Sequence, residues 1–428
     1  MSLFHWTERP TAALQDGGVI PPDERLPWPQ TTAMGVQHVI AMFGATVLAP
    51  ILMGFDPNLA IFMSGIGTLI FYFATGGKVP SYLGSSFGFI GVVIAATAYA
   101  GQGPNAHIAV ALGGIIACGA LYALMGVLVQ VVGTGWIERL MPPVVTGAVV
   151  AVIGLNLASV PIKNMAASNF DSWMQLITFV CVALVAVFTS GMVQRLLILV
   201  GLALATLIYL VLTNGMGLGK PMDFSGIAAA SWVGLPNFTA PVFEANAILL
   251  IAPVALILVA ENLGHIKAVA AMTGKNLDAS IGRAFIGDGV ATMVSGAAGG
   301  TGVTTYAENI GVMAATRIYS TAVFLVAACI ALLLGFSPKF GALIQAIPLP
   351  VMGGVSIVVF GLITIAGAKI WVDNKVDFSA PANLLTAAVT LILGTGEFTL
   401  KFGSFALGGI GTATFGAVLL YAVLRRGR

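Results

Sequence analysis

Pro143-Val144-Val145-Thr146-Gly147, with Gly154-Leu155 after six intervening residues, is matched later in the chain by Pro350-Val351-Met352-Gly353-Gly354 and Gly361-Leu362 at the same spacing. Both copies lie in apolar runs fit to cross a ~30 Å hydrocarbon core, which takes ~20 residues. How many such runs separate them decides the fold. Hydrophobic runs broken by Gly, Pro, Asn and charge predict full-length spans at residues 32–51, 59–75, 108–131, 143–160, 173–189, 196–212, 247–263, 319–334, 344–365, 380–393 and 405–424. Three stretches, 82–98, 284–298 and 302–316, are less regular, being short, rich in Gly, Ser and Thr, or bearing an ionisable residue. Fourteen crossings make the two copies spans five and twelve. Seven crossings apart, they enter the membrane from opposite sides, the mark of an inverted repeat. Chance agreement of Gly and Pro is the bland alternative, and the seven-plus-seven count argues against it.

Charge supports that count. Only 8% of the 428 residues are charged and 58% are hydrophobic, against about 25% charged in soluble domains. A soluble enzyme, a nucleic-acid binder and a disordered scaffold are thereby excluded, and a net charge of +2 offers no field for acidic partners. With the N-terminus inside, Arg9, Arg25, Lys78, Arg139, Arg195, Lys267, Lys275, Arg283, Arg317, Lys369, Lys375, Arg425, Arg426 and Arg428 fall on the cytoplasmic side. Only Lys163, Lys220, Lys339 and Lys401 fall outside, a clear positive-inside bias. The expected class is an all-α polytopic membrane protein with both ends in the cytoplasm. Cys118, Cys181 and Cys329 are scattered through apolar runs and form neither a disulfide framework nor a metal site. The proline-rich first thirty residues read as a polar tail without a cleaved leader.

The irregular third and tenth spans stand at equivalent places in the two halves. Ser81-Tyr82-Leu83-Gly84-Ser85-Ser86-Phe87 opens one, and Gly299 to Asn309 opens the other. Each reads as a few extended residues followed by a half helix, and paired interruptions of this kind point to a midplane site. Three acids fall inside spans: Glu261, Asp288 and Glu308. An ionisable group at mid-span costs about 2.5–3.5 kcal/mol to insert, so such residues are functional candidates. Asp288, between Gly287 and Gly289, fits a structural carboxyl equally well. Glu261 and His265, four apart, share one helix face and could pass a proton; closing the end of the span is the plain alternative. His38 suits either a relay or an interhelical hydrogen bond. Phe87 and Tyr306 flank the expected cavity, where a planar ligand could stack, although simple packing would also explain them.

These motifs resemble the nucleobase–cation symporter (nucleobase–ascorbate transporter) family over nearly the whole chain beyond the tail. Its signature stands here as Glu308-Asn309-Ile310-Gly311, followed after four residues by Thr316-Arg317. Gln37-His38, Tyr82 to Phe87, Ala260-Glu261-x-x-Gly264-His265 and Ile347 to Gly354 match its uracil permease branch. The resemblance implies a core domain of residues 31–131 and 241–335, a gate domain of 132–240 and 336–428, and a cytoplasmic tail, 1–30. It implies proton-coupled import of uracil, with thymine and related pyrimidines in range, by alternating access across the bacterial inner membrane. Glu261 and Glu308 would hold the ring with backbone groups of Phe87 and Ala307, beside Ser86 and Tyr306. His265 would couple the proton together with Glu261, and His38, Asp288, Asn309 and Phe360 would assist. A homodimer through the gate domain is implied, with no metal and no cofactor besides the coupling proton.

Three departures bear on the substrate. Ala307 replaces a common Gly, Phe360 replaces a frequent Tyr, and Asp288 is more like the purine-transporting relatives. A xanthine or urate symporter of the same fold therefore stays open, as does an uncoupled channel or anion exchanger of related architecture. No Gly-x4-Gly-Lys-Ser/Thr loop points to ATP, and no nucleophile–base set points to an enzyme. Uracil alternates carbonyl acceptors with N–H donors, which carboxylates and helix N-terminal amides complement.

Overall fold

The computed structural model describes residues 4–10, 18–99, 103–402 and 405–425. Residues 11–17 of the tail, and Arg426 and Arg428 among the bases expected on the cytoplasmic side, lie outside the described residues. Eight described helices are long and apolar enough to cross a membrane: Trp28–Met53, Pro57–Thr75, Ile108–Val132, Pro143–Lys163, Asn169–Phe188, Leu197–Gly215, Ala245–Thr273 and Leu349–Asp373. A ninth path joins Thr321–Gly335 to Pro338–Gln345 through an 82° bend. Pro381–Thr395 and Gly409–Leu424 are apolar but shorter. The chain is thus a mostly helical, multi-pass membrane protein.

Local chemistry sets the helix limits. Asp56 caps Pro57–Thr75 by accepting from the Asn58 amide, and Gly54 and Gly76 end their helices in the left-handed conformation. Ser168 and Asp171 form a reciprocal capping box at the start of Asn169–Phe188. Two stretches depart from expectation. Residues 284–298 are no irregular piece but belong to one unbroken helix, Asp278–Ala298. Its polar residues Ser280, Asp288, Thr292 and Ser295 are buried against neighbouring helices. The last helix begins at Gly409, because Phe405–Leu407 is drawn into a hairpin with Leu400–Phe402.

Glycines bring helices into backbone contact. Added Cβ atoms at Gly119 and Gly126 would lie 2.6 and 2.7 Å from the carbonyls of Gly289 and Gly282, so Ile108–Val132 and Asp278–Ala298 meet almost bare. The two copies of the repeat use the same device on each other. Helix Pro143–Leu157 packs on Leu349–Asp373, where Cβ atoms at Gly147 and Gly154 would meet the carbonyls of Gly367 (2.8 Å) and Phe360 (2.2 Å). The glycines of the second copy serve otherwise. Gly354 faces Thr178 and Gln175, while Gly361 has open space before it.

At the centre, strand Leu83–Ser85 pairs antiparallel with Val303–Thr305, Gly84 opposite Thr304. The Ser86 amide to Gly302 O (2.9 Å) and the Tyr306 amide to Tyr82 O (3.1 Å) extend the pairing at both ends. Beyond the strands the chain turns helical, through a tight turn at Phe87–Phe89 into Ile90–Thr97 and directly into Ala307–Thr316. Residues 83–97 and 303–316 therefore form two arms joined at their strands.

Candidate functional site

The arms supply the backbone of the site and a third helix supplies a carboxyl. Ala252-Pro253 separates Ala245–Ile251 from Val254–Thr273; proline removes a backbone donor and marks such breaks. Val254–Thr273 carries Glu261 and His265 and packs on the Phe87–Phe89 turn, on Val303–Thr305 and on Ala307–Thr316. Glu308 stands in the first turn of Ala307–Thr316, where the helix dipole favours a negative group. Tyr306 makes no side-chain cap, and the helix's bonding begins with the Ile310 amide to Tyr306 O at 3.3 Å. The amides of Ala307, Glu308 and Asn309 are those that helix geometry leaves without an intrahelical partner.

Glu261, Glu308, His265 and Phe87 are half-buried and Ala307 is exposed. No ion pair among the described residues involves either glutamate. A cavity of about 250 Å³ reaches Glu308. Ile40, Ala41 and Gly44 of the first helix bound it, with Leu196 to Leu199, Gly311, Val312 and Leu362. Gly264 and Gly311 each follow a glutamate by three residues, and each has open space where a side chain would stand. Phe87 meets Phe360 edge to face, ring centres 6.3 Å apart, so one arm touches the Leu349–Asp373 helix at this point.

The remaining candidates are fixed by internal bonds. Ser86 is buried, and its hydroxyl accepts from the Gly88 amide at 3.2 Å, closing the turn after the strand. Tyr306 is only 4% exposed. Its hydroxyl donates to Ser85 O (2.8 Å) and accepts from Thr46 Oγ1 (3.1 Å), so its ring locks the arms together instead of lining the cavity. His38 and Asn309 hold each other. Asn309 Nδ2 lies 2.9 Å from His38 Nδ1 and donates to His38 O at 3.1 Å, while His38 rests against Phe324. Asn309 Oδ1 is buried without a partner among the described residues.

Asp288 is fully buried, remote from Glu308 in sequence but joined to His265 through hydrogen bonds. Its Oδ2 accepts from Asn262 Nδ2 (2.6 Å) and from the Tyr122 hydroxyl (3.2 Å). Asn262 Oδ1 accepts from Thr305 Oγ1 at 3.4 Å, and Thr305 Oγ1 lies 2.8 Å from His265 Nδ1. Sequence reasoning missed Asn262, Tyr122 and Thr305. A buried amide beside Glu261 was the available signal, since an unsatisfied polar group at membrane depth costs several kcal/mol.

The cavity thus takes one carboxyl, Glu308, from the second broken arm, while Glu261 and the first arm lie outside its lining, and the whole is set in a multi-pass helical protein. Among solved structures the chain resembles the transmembrane domain of the cyanobacterium bicarbonate transporter BicA. The TM-score is 0.62 at 17% identity, covering 92% of this chain and 97% of that one. It also resembles the murine anion transporter Slc26a9 in the inward-facing state, with TM-score 0.67, 11% identity, and 93% and 68% covered. These likenesses establish a common fold. The sequence profile of the Permease family (Xan_ur_permease) matches residues 29–402, and the chain belongs to that family. It is 66% identical over 429 residues to the putative pyrimidine permease RutG of Escherichia coli (strain K12), covering 100% of this chain and 97% of the relative. It is 40% identical to the uracil permease of Paenibacillus larvae, covering 94% and 96%. Against the uracil permease of Escherichia coli (strain K12) the identity is 39%, covering 94% and 93%. The protein is accordingly a transporter and not an enzyme.

Proposed function

We propose that this permease imports uracil, with thymine and related pyrimidines in range, together with protons, by alternating access across the bacterial cytoplasmic membrane. The observation that carries this reading is the pair Glu261 and Glu308, half-buried and without a cationic partner among the described residues. A carboxylate accepts ring N–H groups, and free helix amides donate to ring carbonyls. An anion would need donors or bases, which this pair opposes, so the anion substrates in the names of the structural neighbours are not carried over. The named activities of the curated relatives support a pyrimidine.

The architecture that goes with this activity is fourteen crossings in two inverted sets of seven. A core of residues 31–131 and 241–335 carries both glutamates, and a gate of 132–240 and 336–428 moves against it. Both termini lie inside, and the gate domain supports a homodimer. His265, bonded to Thr305 and one turn from Glu261, is the proton-coupling residue.

Radiolabelled uracil binding to purified protein tests the site. Glu308→Gln is expected to weaken binding by about 100-fold, the loss of a charge-assisted bond in a dry site, and unchanged affinity would sink the assignment. His265→Ala should slow uptake far more than it weakens binding. Uptake into vesicles that a proton ionophore leaves untouched removes the symport claim. Competition by xanthine or urate that outdoes uracil and thymine replaces the pyrimidine with a purine.

A further inference from the structure

We propose that the N-terminal segment is a strap that positions the Glu308 half-helix from its far end, a role that rests on the substrate site described above. Ala307–Thr316 is anchored at its start by the strand pairing. Its other end stops at Arg317, a non-glycine residue at φ +58°, where left-handed backbone is disfavoured unless the surroundings hold it. The surroundings here are the tail. The Ile20 amide donates to Arg317 O (2.9 Å) and the Tyr319 amide donates to Ile20 O (2.7 Å), a parallel bridge around Ile318. Pro22 O accepts twice from Thr321, from its amide (3.2 Å) and its hydroxyl (2.9 Å). The Trp6 indole N–H in turn donates to Thr321 Oγ1 at 2.9 Å.

Apolar burial accompanies these bonds. Ile20, Leu26, Ile318 and Val323 form a small core of their own, separate from the main one, with Met34 against it. Lys275 pairs with Asp23, and Phe4 stacks on Tyr72. Every described hydrogen bond and ion pair from the tail ends within the tail itself, on the first helix, on Lys275 or on residues 317–321. None crosses to residues 132–240 or 336–425, so the strap would travel with the core. The family profile begins at residue 29, after the tail residues that make these contacts.

The lever is short. Ten residues of helix span about 15 Å, and a one-residue slip at Arg317 would move Glu308 by about 1.5 Å along the axis. A carboxyl placed for hydrogen bonding does not tolerate such a shift.

The test uses full-length protein, with uracil affinity and hydrogen exchange measured on the same preparations. Ile20→Asp is expected to raise the uracil Kd about tenfold and Thr321→Val several-fold, and both should speed exchange in residues 307–321 but not in the gate helices. Ile20→Val keeps the apolar contact and Thr321→Ser keeps the hydroxyl, so both should stay near wild type. Wild-type affinity in Ile20→Asp, or exchange that rises across the gate helices as well, overturns the strap. If Ile20→Asp does not fold, the Thr321→Val and Thr321→Ser pair decides, equal behaviour of the two counting against it. Glu308→Gln is run alongside. Should it bind uracil like wild type, the site reading fails, whereas local exchange at 307–321 still judges the brace.

Discussion

The two broken arms solve one steric problem twice and divide the chemistry unequally. In each, a glycine in one arm or just before it receives an aromatic ring of the other. A Cβ at Gly84 would lie 2.5 Å from Tyr306 Cζ, and a Cβ at Gly302 would lie 2.2 Å from Phe89 Cε2. Only Gly lets two strands and two rings share this space at membrane depth. There the equality ends. Residues 83–97 offer the Phe87 ring and backbone groups, with no ionisable side chain. Residues 303–316 carry Glu308 and Asn309, bond to His265 through Thr305, and are braced at the far end by the tail. On the function proposed above, one arm is a wall and the other a working part. The shared fold constrains backbone placement, and the differing side chains assign the tasks.

The sharpest way to break this comparison is to fill a glycine. In Gly302→Ala the new methyl would drive into Phe89, which is fully buried, and overpacking of this kind costs about 3 kcal/mol or more. Gly84→Ala should cost a similar amount, because the new methyl would meet both Tyr306 Cζ (2.5 Å) and Thr46 Oγ1 (2.6 Å), and moving Tyr306 aside gives up its hydroxyl bonds. Both variants should melt well below wild type and lose stabilisation by uracil. A Gly302→Ala protein as stable as wild type would show that the ring lock is not what joins the arms.

Next in size is the polar network that only the second arm touches. Asn262→Ala removes the amide that links Asp288 and Tyr122 to Thr305 and leaves buried polar groups short of partners. The expected loss is about 2–3 kcal/mol of stability, as for a buried bond to a carboxyl. Uptake should fall further than this instability explains, because His265 loses the neighbour that fixes Thr305. An Asn262→Ala protein with normal uptake would detach the network from the second arm's task.

Tyr306→Phe keeps the ring over Gly84 but removes the bonds to Ser85 O and Thr46. The cost should be about 1–2 kcal/mol, with Ser85 O left without its side-chain donor. Since the ring is buried and away from the cavity, uracil affinity should change by less than stability does. A large loss of affinity without loss of stability would instead return Tyr306 to the role of a stacking platform.

Much of this architecture could be read from residue order, and the physical reasons are specific. Helix positions follow from apolar runs and their Gly, Pro and Asp punctuation, which act locally; Asp56, Gly76 and Ser168 cap where such residues should. The strands lie inside the two stretches that Gly, Ser and Thr mark out. Glu261 and Glu308 stood out because mid-membrane acids are costly. The reciprocal locks were hidden, since Gly84 and Tyr306 are far apart in the chain and neither type is unusual in a span. The regularity of Asp278–Ala298 was hidden as well: its polar residues are tolerated only because other helices bury them. The tail was misleading in another way. Proline and charge mark a polar tail, yet Ile20 and Leu26, two apolar residues within it, are enough to dock it once Arg317 and Thr321 present backbone groups.

The smallest effect separates the arms at their far ends. Residue Ala98 ends the first arm's helix with no ion pair nearby among the described residues, whereas the strap on the second arm brings Asp23 to Lys275. The hydrogen bond from Lys275 holds the Asp23 carboxyl below its usual pKa of 3.8, outweighing partial burial. A carboxyl depressed in the folded state contributes stability that is present above its unfolded pKa and is lost as pH falls through the folded value. Between neutral pH and about pH 5 the pair should therefore leave stability flat, with the loss confined to pH below about 4. Both side chains are well exposed, so the difference between wild type and Lys275→Gln should be slight and should shrink in high salt. Melting curves of the two proteins from pH 7 to pH 3 measure it. If they diverge near neutral pH, the group that titrates is not Asp23, and the ionic part of the brace must be assigned elsewhere.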